Sequence, residues 1–296
     1  MNKNRPPLAV IAGPTAAGKS ALALALAEKH RGAIINADAS QVYADLHILS
    51  ARPSSPEEAA VPHYIYGVID GAHACSVAQW TELARAAIAD ARAAGRLPIL
   101  VGGTGMYLKA LLDGLAPVPP IDAHIRARVR GLPPVEVRAE LERADAAMAA
   151  RLHPNDPQRN ARALEVLWAT GQSLADWQAR TTGGLADEVE IDATLVLPDR
   201  AELYARCDAR FDEMLVAGAL DEAARLQARN LSPDLPVMKA LGVPRLLRHL
   251  RGEISLAAAT VEAKRDTRHY ARRQMTWFVS GGQARGWLAT ARRATP

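Results

Sequence analysis

Cysteine is almost missing from this chain of 296 residues: Cys75 and Cys207 are its only two, far apart in sequence. Such a pair offers neither the ligand spacing of a zinc site nor a disulfide framework, and it fits a reducing compartment, so a cytoplasmic protein is expected. Aromatic residues are scarce as well, at 4% with two phenylalanines, whereas alanine abounds, so helix should outweigh strand. No run of about 18 apolar residues occurs, and no membrane span is expected. The charged start Met1-Asn2-Lys3-Asn4-Arg5-Pro6-Pro7 leads directly into an apolar strand-like run, which makes it a short tail rather than a secretory signal.

What the chain does have, at its beginning, is the octet Gly13-Pro14-Thr15-Ala16-Ala17-Gly18-Lys19-Ser20. This is a complete G-x-x-x-x-G-K-[ST] phosphate loop, preceded by the apolar run Leu8–Ala12 and followed by the Ala/Leu-rich helix pattern Ala21–Ala27, the context in which the motif has physical meaning. Glycines let successive backbone N–H groups turn inward, and the helix N-terminus adds partial positive charge. Lys19 supplies a full charge, and the Ser20 hydroxyl is a candidate Mg²⁺ ligand. A di- or triphosphate should therefore bind here.

Short apolar runs at 33–36, 65–69, 98–101 and 193–197 read as further strands, and a last one is expected at 284–288. Ser76 to Ala94 has helical periodicity and stops at Gly95. Strands alternating with helices imply an α/β fold with a parallel sheet covered on both faces, whose ligands sit at the carboxyl ends of the strands. The phosphate loop, Asp38 and Thr104 all fall at such ends. Prolines at 117, 119, 120, 133 and 134 punctuate a stretch that is then helical to about Gln178. Residues 116–187 thus read as a helical insertion in a core formed by 1–115 and 188–296. The C-terminal region reads as helices over 200–229, 239–250 and 256–279.

A phosphoryl-transfer enzyme needs a second acidic residue for Mg²⁺ at the end of a neighbouring strand. Here the strand at 98–101 ends in Gly102-Gly103-Thr104. Asp38 is the best-placed carboxylate, either as a turn or cap residue or as a general base or outer partner of Mg²⁺. Gln158, Arg159 and Arg162 lie on the first turns of a helix after Asp156 and suit RNA contacts, or merely a capped helix start. Arg206 and Arg210, at i and i+4, either clamp a diphosphate together or pair with Asp208, Asp212 or Glu213. The net charge is +4, and Lys264, Arg265, Arg268, Arg272 and Arg273 recur at helical spacing. That face is either solvated or tracks nucleic-acid phosphates.

The ordered series GPTAAGKS, NADASQVY, ARP, VGGTGMY, HPNDPQRNARALE and RRQMTWF, spanning residues 8 to 288, resembles the tRNA dimethylallyltransferases of the IPP transferase family. The resemblance implies a P-loop NTPase-like core with a helical insertion that binds tRNA. It implies transfer of the dimethylallyl group of dimethylallyl diphosphate to N6 of the adenosine immediately 3′ of the anticodon. The partners implied are a tRNA anticodon stem-loop and that diphosphate, acted on by a monomer with Mg²⁺ at Ser20. By the same likeness Gly13 through Ser20 cradle the diphosphate, with Thr15 near its bridging oxygen and Arg210 assisting. Asp38 takes the N6 proton. RNA contacts fall to Asp38, Ala39, Ser40, Gln41, Thr104, Arg126, Gln158, Arg159, Asn160, Ala161, Arg162, Lys239 and Gly242. The chain departs from the family pattern at Ala39, where Asp-Ser-x-Gln is usual, at Leu49, where Gly-Thr-Ala-Lys-Pro is usual, and at Val243, where Gly-Tyr is usual. The rival readings are a nucleotide or small-molecule kinase and a non-catalytic RNA-binding protein of the same fold.

Overall fold

Leu8, Ala9, Val10, Ile11 and Ala12 are all buried, the pattern of a strand covered on both faces. They belong to β1 (Pro7–Ala12), in a computed structural model that describes residues 5–281 and 286–294. The other strands are β2 (Gly32–Asn36), β3 (His63–Tyr64), β4 (Leu97–Gly102), β5 (Glu190–Val196) and β6 (Arg292–Ala294). They form one six-stranded sheet ordered β3-β2-β4-β1-β5-β6, with every pairing parallel. Ala12 pairs with Gly102 of β4 and Leu195 of β5, so the phosphate loop leaves the centre of the sheet at its carboxyl edge.

The side chains of β1 alternate between two cores. Leu8, Val10 and Ala12 join Trp80, Leu108 and Leu111, and Trp80 stacks on Tyr107 at 4.3 Å. Ala9 and Ile11 join Ala23, Ala27, Cys207 and Ala271. The helices of this first half are α1 (Lys19–His30), α2 (Ser55–Ala60), α3 (Val77–Ala93) and α4 (Gly105–Asp113).

The chain folds as two compact units, Met1–Leu112 with Leu185–Pro296, and Asp113–Gly184. The second contains α5 (Ala123–Arg130), α6 (Pro134–Ala144), α7 (Ala146–Arg151), α8 (Pro157–Thr170) and α9 (Leu174–Gln178). It has its own core of Val129, Val137, Leu141, Met148 and Leu164. The first unit continues with α10 (Arg200–Val216), α11 (Ala219–Ala228), α12 (Val243–Leu250) and α13 (Leu256–Thr276).

Local chemistry moves several boundaries from those expected. The strand expected at 65–69 shrinks to the pair His63–Tyr64, because Ile65 and Gly67 turn the chain at φ 67° and 62°; Ile69 keeps only an isolated bridge to Tyr43. The helix expected over 200–229 breaks at Gly218, whose φ is 100°. The one expected over 239–250 starts after a 3₁₀ turn, Pro236–Lys239. The strand expected at 284–288 is replaced: residues 284–285 lie outside those described, Gly286–Thr290 is a 3₁₀ turn, and β6 follows it. No described helix is long and apolar enough to cross a membrane.

Candidate active site

The phosphate loop keeps its shape through contacts that only its residue types allow. A side chain at Gly13 would place a Cβ 2.3 Å from the Val196 carbonyl oxygen. Lys19 Nζ donates back to the Pro14 carbonyl at 2.6 Å, closing the loop from inside. The Thr15 N–H donates to Gln274 Oε1 at 2.8 Å, and Gln274 Nε2 donates to the Gly103 carbonyl at 2.7 Å. Buried Gln274, from α13, therefore ties the loop to the end of β4. Its signal in the sequence is its place in the RRQMTWF motif; a glutamine in a basic helix carries no periodic signal of its own, and its tie to the loop could not be read there.

Arg210 of α10 reaches the same loop, its Nη2 donating to Thr15 Oγ1 at 2.5 Å. Its expected partner Arg206 does not join it. That side chain pairs with Glu202 at 2.5 Å, so for Arg206 the ion-pair alternative holds, with a partner other than Asp208, Asp212 or Glu213. Burial pulls the Arg210 guanidinium below its usual range. Burial also lowers Lys19 to about 8, an effect that Asp38 opposes and Arg210 reinforces. Two desolvated cations at a helix N-terminus make a site built for a multivalent anion.

Asp38 lies two residues beyond β2, bracketed by Asn36. The Asp38 N–H donates to Asn36 Oδ1 at 2.7 Å, and Asn36 Nδ2 donates to the Asp38 and Ile65 carbonyls. Ser40 gives its N–H and its hydroxyl to one carboxylate oxygen, Asp38 Oδ1, at 2.9 and 2.7 Å. Ser40 thus supports the carboxylate in a chain that carries Ala39 where a serine is usual. Thr104 Oγ1 accepts the Ala39 N–H at 3.0 Å, so the residues just after β4 hold the Asp38 turn as well. Tyr270 is hydrogen-bonded with Thr104, and burial, with Asp38 adding to it, keeps its phenol protonated well above the ordinary range.

A cavity of ≈ 250 Å³ gathers Thr15 through Ala21 with Asp38, Gln41, Ser50 and Arg210. A narrower one, of ≈ 30 Å³, shares Thr15, Asp38 and Arg210; Leu49, Phe211, Met214 and Leu241 form an apolar wall of it, and Ser40, Ser50, Thr267 and Tyr270 line it as well. Phosphate donors, a carboxylate and an apolar slot thus converge. Gln41 lines the cavity, but its Nε2 is committed to the Ser50 and Ala51 carbonyls at 3.0 and 2.7 Å.

Other expected positions have structural duties. Gly242 begins α12 at φ 84°, and a Cβ there would lie 2.9 Å from the Phe211 ring, so its place among the RNA contacts reduces to its backbone. Lys239 is exposed and pairs with Asp234 at 3.1 Å. On the basic face of α13, Arg268 binds Asp208 at 2.6 Å and Lys264 binds Asp212 at 2.7 Å. Neither of the two readings of that face, solvated or phosphate-tracking, anticipates that two of its cations hold α13 to α10.

In the second unit, Asp156 caps α8 by accepting the Arg159 N–H at 3.0 Å, and Gln158 and Arg159 are exposed on its first turn. Asn160 is 1% exposed; its amide donates to the His153, Pro154 and Asp156 carbonyls, and its oxygen accepts from Arg138. Its expected RNA contact is therefore corrected to a scaffold role, and Ala161 is half-buried beside it. Arg162 and Arg126 share a partner that sequence reasoning missed. Glu165, its side chain 2% exposed, faces Arg130 at 2.9 Å, Arg162 at 3.4 Å and Arg126 at 4.0 Å. One buried carboxylate thus orients three guanidiniums that stay largely open to solvent, with net positive charge. The spacing of Glu165 three residues after Arg162 was the available signal.

A family model described as IPP transferase matches residues 41–281, and one described as isopentenyl transferase matches residues 6–67. A curated tRNA dimethylallyltransferase of Bradyrhizobium sp. is 54% identical over 293 residues, 95% of this chain and 96% of that protein. Its counterpart from Rhodospirillum rubrum is 56% identical, over 92% of this chain and 85% of that protein. Among solved structures, a eukaryotic dimethylallyltransferase acting on tRNA superposes with a TM-score of 0.81 at 28% identity, covering 92% of this chain and 70% of that one. The full-length tRNA isopentenylpyrophosphate transferase of Bacillus halodurans gives 0.69 at 30% identity, covering 98% and 89%. With its phosphate loop, its parallel sheet and its helical second unit all inside these matches, the chain belongs to the IPP transferase family.

Proposed function

We propose that this protein transfers the dimethylallyl group of dimethylallyl diphosphate to N6 of the adenosine immediately 3′ of the anticodon in tRNA. The observation that carries this reading is that the phosphate-loop cavity and a slot with an apolar wall share one carboxylate, Asp38. β4 ends in Gly102-Gly103-Thr104 rather than in the second acidic residue that a phosphoryl-transfer site uses for Mg²⁺, so a kinase site is not favoured. Here the diphosphate is a leaving group. The N6 lone pair attacks C1 of the prenyl chain, the C1–O bond breaks, and diphosphate departs with the bonding electrons. Asp38 accepts the N6 proton through Oδ2, the oxygen that Ser40 does not bond. Lys19 and Arg210 stabilise charge that grows on the leaving oxygens.

Ser20 is exposed at the start of α1, and its hydroxyl suits Mg²⁺, which needs few protein ligands when substrate phosphates and waters complete its shell. When bound, the ion neutralises diphosphate charge. RNA is held by the arginines around Glu165, with Gln158 and Arg159, and by the Asp38–Gln41 turn. The target base must leave its stack, which a single-stranded loop makes easier. We take the enzyme to act as a monomer in the cytoplasm, where its two free cysteines stay reduced.

The direct test supplies purified protein, an unmodified anticodon stem-loop and labelled dimethylallyl diphosphate or labelled ATP. Label should pass from the prenyl donor alone. A loop with guanosine at the target position lacks the N6 amine and should receive none. Transfer to that loop, or phosphorylation from ATP, would overturn the reading.

A further inference from the structure

Glu222 is one of the few buried charged side chains, at 3% exposure, and it has no part in the chemistry above. It stands on α11 and accepts three successive backbone N–H groups. Its Oε1 takes those of His47 and Ile48 at 2.8 and 2.9 Å, and its Oε2 takes that of Leu49 at 2.8 Å. A buried carboxylate is tolerated only when so bonded, and here the charge-assisted bonds fix three consecutive peptide planes. The next residues are gripped from another element: Gln41 Nε2 holds the Ser50 and Ala51 carbonyls, and Ser50 Oγ donates to the Leu46 carbonyl at 2.7 Å. Leu49, 5% exposed, sits where the two clamps meet and forms the slot wall with Phe211, Met214 and Leu241.

We infer that Glu222 is a positioning residue that sets where the slot's apolar wall stands by fixing the backbone at Leu49. Selectivity for a five-carbon donor over a longer prenyl diphosphate then depends on a carboxylate that touches neither substrate. The inference rests on reading this slot as the prenyl site. A wall on a rigid backbone excludes extra methylenes because packed side chains resist overpacking; the same wall on a loosened loop yields. Glu222→Gln tests this without changing volume. An amide offers one acceptor oxygen where the carboxylate offers two, so its NH₂ must face a backbone N–H at one end of the clamp.

The experiment uses the full chain and an anticodon stem-loop, with dimethylallyl and geranyl diphosphates in competition. Glu222→Gln should lower kcat/KM for the dimethylallyl donor roughly 10- to 100-fold, the scale of a displaced positioning element. It should also move the donor preference about tenfold toward the geranyl compound, the scale of pocket discrimination. Leu49→Ala should move the preference at least as far. The double variant should fall short of the sum, because both changes act on one wall. Stem-loop affinity should not change. A preference unmoved in Glu222→Gln, with activity lost only in step with melting temperature, would reduce Glu222 to a structural role and overturn the inference. Should that variant not fold, amide exchange in the unaltered protein decides the matter: the N–H groups of residues 47–49 should be protected like those of β1, and rapid exchange there overturns the clamp. If the unaltered protein transfers neither donor, it is the prenyl-site reading that fails, while the exchange result still reports on the clamp.

Discussion

Asp38 and Lys19 show how neighbours assign roles to single residues. Asn36 and Ser40 hold the Asp38 carboxylate by its backbone and one oxygen, which leaves the other for a proton. Asp38→Asn preserves shape and removes the acceptor, so single-turnover prenyl transfer should slow by about 10²–10⁴ while stem-loop affinity holds. Transfer at the unaltered rate would remove Asp38 from the role of base. Lys19, lowered mainly by burial to about 8, loses its charge in the free enzyme as pH rises through that value. Because the diphosphate is bound by the charged form, kcat/KM for the donor should fall on the alkaline side of about 8. Lys19→Arg keeps a charge at all accessible pH values and should abolish that limb even where it lowers the rate. An unchanged alkaline limb in Lys19→Arg would show that another group controls it.

At the scale of elements, the first turns of α8 combine two duties within a few residues. Asn160 anchors the loop before the helix with its buried amide, which donates to three carbonyls and accepts from Arg138, and its loss removes those bonds. Asn160→Ala should therefore lower unfolding free energy by about 1–3 kcal/mol, read by denaturant titration. By contrast, Arg130 on α5 is 65% exposed in its side chain and held to Glu165 from one side. Arg130→Ala should leave stability nearly intact, weaken RNA binding evenly across loop sequences, and reduce the salt slope by about 1. An unchanged slope would mean that Arg130 meets no phosphate. Helix α13 works the other way. Spacing places Arg268 and Lys264 on a shared face but does not say what that face meets, and α10 meets it with Asp208 and Asp212.

For the molecule as a whole, the net charge of +4 and the open arginines around Glu165 suit the proposed capture of RNA, whereas Lys19 and Arg210 serve the proposed bond-making step. Raising salt should increase KM for the stem-loop steeply and leave kcat at saturating RNA nearly constant, since counterion release belongs to the binding step. A kcat that fell in parallel would place phosphate contacts in the transition state. The fold supports this division. The sheet carries the anion site at its carboxyl edge, and residues Asp113–Gly184 form a unit with a core of their own.

The sequence by itself determined whatever depends on neighbours along the chain. The phosphate loop is contiguous, so its glycines, Lys19 and Ser20 could be read directly. The apolar runs of β1, β2 and β4 could be read because burial on both faces demands continuous hydrophobicity; β5 could be read only in its more buried second half, and β3 and β6 are too short to leave a pattern. Tertiary structure alone decided the long-range pairings: Arg210 with Thr15, Gln274 with Gly103, Glu222 with residues 47–49, and Arg130 with Glu165. It also separated Arg206 from Arg210, although their spacing treats them alike. A hydrogen bond forms only at short range, and partners 195 or 171 residues apart are brought within it by the sheet and its packed helices, not by any local pattern.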